Sequence, residues 1–149
     1  KINFSDEDEL YIDGDIIDRG AGGIKLLKYM MMQPNIYPIF GNHEYAFLQV
    51  LDFVTREITE DEIDKLDEKT IQNLIEYQKI GGQVTLDEFH KLTRDEQQEI
   101  IEYVEEFSAY EQIQVNGREF IIVHAGLMNF SPKKKLSEYQ LYELLFIYI

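Results

Sequence analysis

Two short apolar runs separated by one helical segment constrain the fold of this chain more than any other feature. Leu10–Asp13 is an apolar run that leads into Gly14, as a buried strand that ends at a turn does. Residues 22–33 carry apolar side chains at near-helical spacing and are predicted to form a helix. Asn35–Phe40 is predicted to be a second strand. Strand, helix and strand within about 30 residues indicate a βαβ unit with parallel strands.

The next part of the chain, residues 44–109, is predicted to be entirely helical. Its helix starts are marked by capping boxes. These are Thr59 with Glu62, Thr85 with Glu88, and Thr93 with Glu96. Gly81-Gly82 interrupts the run, as a helix end does. We therefore expect a helical insert over about residues 45–109.

A hairpin is predicted after the insert. Gln112–Val115 and Glu119–Val123 flank Asn116-Gly117, a dipeptide suited to a two-residue type I′ turn. The second of these strands is continuously apolar from Phe120 onward, so we expect it to be a central strand. A helix is predicted from about Leu136 to the end of the chain.

Composition excludes several classes of protein. The sequence has no cysteine, so a metal would have to be held by oxygen and imidazole ligands. The formal charge is −15, which disfavours a nucleic-acid partner. The absence of a long apolar run and of a signal-peptide pattern favours a cytoplasmic protein without membrane contacts. Because the chain opens at Lys1 and closes on an apolar run, both ends are expected to be cuts.

Three polar clusters carry the chemistry, and each follows the end of a predicted strand. They are Gly14–Gly20, Gly41–Glu44 and His124–Gly126. Ligands of α/β proteins bind at the carboxyl ends of strands, because the loops converge there. We therefore expect these clusters to meet at one edge of a sheet.

The residue types in these clusters suit metal-assisted hydrolysis of a phosphoester. The carboxylate of Asp15 can bridge two cations, while Asn42 and His124 supply an amide oxygen and an imidazole nitrogen. The guanidinium of Arg19 suits a phosphate group.

A further pair of residues suits proton transfer. His43, oriented by Asp18, can protonate a departing alkoxide.

Each residue also has a purely structural explanation. Asp15 or Asp18 can cap the helix that starts near residue 22, and Arg19 can pair with either aspartate. Glu44 can be a helix-start acid, and His124 can be a core histidine with a satisfied ring. The residues taken one at a time leave these alternatives open.

The clusters taken together resemble the calcineurin-like metallophosphoesterases. The motifs that carry the resemblance are Gly-Asp-x-x-Asp-Arg-Gly from Gly14, Gly-Asn-His-Glu from Gly41, and Val-His-Ala-Gly-Leu from Val123. Arg19-Gly20 and Glu44 resemble more narrowly the phosphoprotein (serine/threonine) phosphatase branch and its bacterial relatives. The resemblance covers most of the chain.

The resemblance implies a fold and a set of roles. The fold would be α/β, a four-layer α/β/β/α sandwich with two mixed sheets, in one domain over residues 1–149. Asp15 would bridge two divalent metal ions, with Mn²⁺ expected and Fe, Zn or Mg as alternatives. Asn42 and His124 would ligate the second ion, Asp18 and His43 would form the acid pair, and Arg19 and Asn42 would contact the phosphate.

The chain also departs from the family pattern. No Asp-x-His motif precedes Asp13 and no histidine follows His124, so the first strand and the C-terminal part of the fold are expected to be missing. The substrate would be a phosphorylated protein or a small phosphoester, with a dinucleoside tetraphosphate as the alternative. A catalytically inactive fragment or scaffold derived from a phosphatase is the alternative of another class.

Overall fold

A computed structural model describes residues 3–55 and 67–146. In chain order, the elements are β1 (Leu10–Asp13), α1 (Gly23–Met31), β2 (Ile36–Ile39), α2 (Asn42–Val54), α3 (Glu68–Lys79), α4 (Gln83–Phe89), α5 (Arg94–Glu105), β3 (Glu111–Val115), β4 (Arg118–Ile122), a 3-10 turn at Leu136–Glu138 and α6 (Leu141–Leu145). The predicted capping box of Thr59 and Glu62 lies outside the described residues.

The predicted βαβ unit is confirmed. Strands β1 and β2 are parallel, with Leu10 paired to Ile36 and Asp13 paired to Ile39. The crossing helix α1 buries Leu27 and Met30 and contacts α4 and α5. Both strands therefore end at the same edge, which is the arrangement that the site requires.

The predicted helical region is confirmed where the structure describes it. Helices α2 and α3 pack together, and the ring of Phe47 meets those of Phe89 at 5.3 Å and Tyr77 at 6.2 Å between centroids. Helix α3 ends before Gly81-Gly82, as predicted. These buried aromatic rings form the centre of the core.

One of the two testable capping boxes is confirmed and the other is wrong. Thr93 and Glu96 cap α5 reciprocally. Helix α4 instead begins two residues before Thr85, so the threonine lies inside the helix and its hydroxyl bonds Asp18. Glu88 accepts the backbone N–H groups of Gly22 and Ile24 at the start of α1.

The Glu88 contacts also settle the alternative in which Asp15 or Asp18 caps α1. The N-cap of α1 is Gly22, which has no side chain, and the N–H groups there are held by α4. Because α4 supplies this cap, neither aspartate is needed for it.

The hairpin is confirmed, but its predicted central position is wrong. Strands β3 and β4 are antiparallel, and Asn116 and Gly117 both have positive φ, at 52° and 75°. Among the described residues β4 pairs only with β3, and Phe120 and Ile121 are 47% and 43% exposed. A continuous apolar run does not by itself determine what packs against it, which explains the error.

The helix predicted from about Leu136 is wrong up to residue 146, and its last three positions lie outside the described residues. A 3-10 turn at Leu136–Glu138 is separated from α6 by Tyr139 and Gln140, which both have extended backbone. The side chain of Glu143 accepts the backbone N–H of Gln140, which starts a new helix at that point.

The described residues form a mixed α/β structure with one parallel and one antiparallel two-stranded sheet. Two mixed sheets are not seen in this part of the chain, and the four-layer sandwich stays a prediction. No helix within residues 3–55 and 67–146 combines the length and apolar character needed to cross a membrane.

Candidate active site

The three predicted clusters meet at the carboxyl ends of β1 and β2. Two glycines make the approach possible: a Cβ at Gly41 would overlap the backbone nitrogen of Asp15. A Cβ at Gly14 would overlap both Gly41 and the ring of His124. Gly14 has a φ of 73°, which a residue with a side chain rarely adopts. These glycines therefore let all three loops come into direct contact.

Glu44 ties two of these loops together. Its side chain is fully buried, and its Oε2 accepts the N–H groups of Gly41 at 3.0 Å and Asp15 at 2.9 Å. Its Oε1 accepts the N–H groups of Ile16 at 2.7 Å and Ile17 at 3.3 Å. Such bonds to a carboxylate are stronger than bonds between neutral groups. The helix-start role expected of Glu44 is confirmed, and the contacts to residues 15–17 add a second one.

Asp15, Asn42 and His124 converge on one point. The Nε2 of His124 lies 3.1 Å from Oδ1 of Asn42 and 3.4 Å from Oδ1 of Asp15. The Nδ1 of the same ring lies 2.8 Å from the carbonyl oxygen of Asp13. A carbonyl only accepts, so Nδ1 is the nitrogen that donates to Asp13, and Nε2 is the nitrogen that faces Asn42 and Asp15. One ring nitrogen and two side-chain oxygens therefore lie close together.

This donor set fits one divalent cation. Ligands that share a cation with bonds of about 2.1 Å lie roughly 3.0–3.4 Å apart, and Nε2 of His124 lies at such distances from the Asn42 and Asp15 oxygens. The second ring nitrogen of a ligating histidine commonly donates to a carbonyl, as Nδ1 of His124 does here. Within residues 3–55 and 67–146, no group of three or more His, Asp and Glu side chains could hold a metal ion. The site reaches three donors only with the amide oxygen of Asn42.

His43 and Asp18 form a buried pair beside this point. The Nδ1 of His43 lies 2.6 Å from Oδ2 of Asp18, and the two side chains are 1% and 0% exposed. The hydrogen bond to Asp18 raises the pKa of His43. Burial lowers this pKa by a smaller amount, and the negative charge of Asp15 raises it further. The Nε2 of His43 is buried without a partner in the described part of the chain and lies 4.0 Å from Oδ2 of Asp15.

The sequence did not reveal two further partners of Asp18. The hydroxyls of Tyr77 and Thr85 both donate to its Oδ1, each at 2.6 Å. They lie 59 and 67 residues further along the chain, in α3 and α4. No local pattern joins residues so far apart, so only their presence in the predicted insert could have suggested them.

Arg19 contacts the corner between α3 and α4. Its Nε donates to the carbonyl oxygen of Ile80 at 3.4 Å, and its backbone N–H donates to Gly81 at 3.1 Å. Its charge still opposes protonation of His43, so it lies within electrostatic reach of the pair. The side chain of Arg19 is exposed.

A cavity of about 640 Å³ opens beside the convergent donors. Asn42 and His124 line one part of it, and the rings of Tyr45 and Phe146 line another. Those rings meet edge to face, with 5.9 Å between centroids. A volume of this order accommodates a small organic molecule or a short peptide segment.

The family model described as calcineurin-like phosphoesterase matches residues 1–146. No curated protein matches the chain closely enough to count as a relative.

Proposed function

This chain belongs to the calcineurin-like phosphoesterase family, and from that premise we propose that its strand-end site hydrolyses phosphomonoesters. Membership implies metal-dependent phosphoester hydrolysis. The single observation that carries the proposal is the convergence of Asp15 and Asn42 on Nε2 of His124. A carboxylate, an amide oxygen and an imidazole are a suitable donor set for Mn²⁺ and its alternatives Fe, Zn and Mg.

In this proposal Asp15, Asn42 and His124 would hold a divalent cation, and Asp15 would also serve a second one. A bound pair of such cations lowers the pKa of a water and neutralises charge on the phosphoryl oxygens. Asn42 also contacts the phosphate. Arg19 turns from Ile80 to place its guanidinium on the same group.

His43 supplies the proton for the leaving group. Asp18 holds Nδ1, so the proton to be transferred sits on Nε2, which has no partner in the described residues. As the phosphorus–oxygen bond breaks, that proton passes to the leaving alkoxide oxygen. The raised pKa of His43 keeps the ring protonated over a wider pH range than an isolated histidine.

The proposed substrate class is a phosphorylated serine or threonine side chain. The Arg19-Gly20 and Glu44 motif positions support it, as does the cavity next to Asn42 and His124. The proposed fold that goes with this function is a single four-layer domain of the phosphoprotein phosphatase type.

Hydrolysis of p-nitrophenyl phosphate with and without Mn²⁺ tests the proposal. Wild type should turn over only with the metal, and Asp15→Asn should lose at least about 100-fold in kcat because a metal ligand is neutralised. Asp13→Asn is the matched control, since it removes a nearby exposed carboxylate that is outside the donor set. Metal-independent turnover, or equal activity of the Asp15 and Asp13 variants, would contradict the proposal.

A further inference from the structure

The carboxylate of Asp18 is held from both sides. Its Oδ2 faces Nδ1 of His43 at 2.6 Å, while its Oδ1 accepts the hydroxyls of Tyr77 and Thr85 at 2.6 Å each. The side chain is fully buried, where an ionised carboxylate needs several donors to offset its lost hydration. Because both partners of Oδ1 are hydroxyls of the helical insert, the orientation of the carboxylate depends on α3 and α4.

Thr85 also fixes the backbone of this aspartate. Its Oγ1 accepts the N–H of Asp18 at 2.9 Å while donating to the carboxylate of the same residue. Asp18 has a φ of 71°, in the left-handed region that a residue with a side chain rarely occupies. Such a conformation persists where the surrounding structure holds it, and Thr85 provides two of the contacts that do so.

The hydroxyl of Tyr77 keeps the proton that it donates to Asp18. Burial, followed by the hydrogen bond to Asp18, raises the pKa of the phenol far above its ordinary range, so the hydroxyl keeps its proton. The ring is 1% exposed and lies directly against Gly82, where a Cβ would overlap it. Gly82, the N-cap of α4, therefore also makes room for the ring that reaches Asp18.

We propose that Tyr77 and Thr85 are positioning residues for the proton donor of the site. By occupying Oδ1, they leave Oδ2 as the oxygen that faces His43 and prevent the carboxylate from rotating. The bond from His43 Nδ1 then has one direction, which fixes where Nε2 and its proton point. This inference rests on the proposed function, because it assigns the pair a part in protonating the leaving group.

Tyr77→Phe tests the inference, because it removes only the hydroxyl. Protonation of the leaving group matters most for a poor leaving group, so phenyl phosphate should respond more than p-nitrophenyl phosphate. We expect kcat for phenyl phosphate to fall about tenfold, kcat for p-nitrophenyl phosphate to fall less than about threefold, and KM to stay unchanged.

Tyr103→Phe is the matched control, since the Tyr103 hydroxyl is buried without a hydrogen-bond partner in the described part of the chain. It should leave both substrates unaffected. If Tyr77→Phe loses the same factor on both substrates, or behaves like Tyr103→Phe, the positioning role is wrong.

Thr85 gives an independent pair of variants. Thr85→Ser keeps the hydroxyl and should retain the wild-type ratio of the two kcat values, whereas Thr85→Val should shift that ratio as Tyr77→Phe does. If Thr85→Val folds with an unchanged ratio, the inference is contradicted for this residue.

NMR of the ¹⁵N-labelled chain separates this inference from the proposed function. The proton of His43 Nδ1 should resonate far downfield in wild type and in Tyr103→Phe, and should move in Tyr77→Phe and Thr85→Val. If wild type hydrolyses no phosphoester, the proposed function fails, and this resonance still decides the geometric claim. An unchanged resonance in both hydroxyl-deleted variants would overturn it.

Discussion

The carboxylate of Glu44 accepts the backbone N–H of Asp15 at 2.9 Å, although the two residues are 29 positions apart. The same oxygen accepts the N–H of Gly41, and the other oxygen accepts that of Ile16. Asp15 has a φ of 53°, so these bonds stabilise a backbone conformation that is unfavourable for an aspartate. The position of the proposed metal ligand is therefore set by the first turn of α2.

Glu44→Gln should destabilise the chain and displace Asp15. Gln has one acceptor oxygen, so buried N–H groups lose their partner, at a cost of about 1–3 kcal/mol. Urea denaturation measures that cost. The control is Glu138→Gln, since Glu138 makes a similar capping contact to Lys135 on the surface. A loss no larger than that of the control would contradict the role of Glu44.

Glu44 also shows how far a sequence can predict a site. Its place three residues after Gly41 predicted a helix-start acid, and the capping contact to Gly41 confirms it. Its bonds to Ile16 and Ile17 depend on the parallel pairing of β1 and β2, which brings the two loops together. Local spacing predicts local contacts, whereas contacts across the sheet edge emerge only once the strands are paired.

His43→Ala should remove the proton donor. We expect kcat with phenyl phosphate to fall by about 10²-fold or more, with a smaller change in KM. Steady-state kinetics measures both constants. His90→Ala is the control, because His90 is an exposed histidine at the end of α4. A similar loss of kcat in the two variants would contradict a role of His43 in proton transfer, because it would show that replacing any histidine lowers activity by this amount.

Stability at acidic pH should depend on Glu96. A hydrogen bond from Lys28, followed by contacts with Thr93, lowers the pKa of this carboxyl from 4.5 to about 2. The folded state binds its proton more weakly than the unfolded state, so the stabilisation is complete above pH 4.5 and is lost as pH falls through about 2.

The Glu96 prediction is checked by the melting temperature of wild type and Glu96→Gln across that pH range. The difference between the two melting temperatures should be constant near neutral pH and should shrink below pH 4.5. It should be small, since Lys28 and Glu96 are 36% and 41% exposed. A difference that does not change with pH would contradict the assignment.

Filling the cavity should change which esters bind. Ala46 lines it beside Tyr45, and Ala46→Leu would take up part of its volume. We expect KM for 4-methylumbelliferyl phosphate to rise about tenfold, which corresponds to ~1.4 kcal/mol, while KM for methyl phosphate stays unchanged. Kinetics with the two esters checks this, and unfolding curves control for overpacking. Equal effects on both would show that the cavity does not hold the organic group.

Thr85 and β4 show where the sequence was misleading. Thr85 and Glu88 have the spacing of a capping box, yet both side chains bond to residues near α1 because α4 packs there. The apolar residues of β4 predicted a central strand, yet Phe120 is 47% exposed. In both cases the pattern was compatible with several partners, and tertiary packing selected among them.

Titration of Mn²⁺ into the chain, followed by electron paramagnetic resonance, tests most directly whether Asp15, Asn42 and His124 form a cation site. We predict a saturable site in wild type and in Asp13→Asn, with affinity at least about tenfold weaker in Asp15→Asn and in His124→Ala. The Asp13 variant controls for loose binding to a chain of formal charge −15. Unchanged Mn²⁺ affinity in both ligand variants would contradict the site.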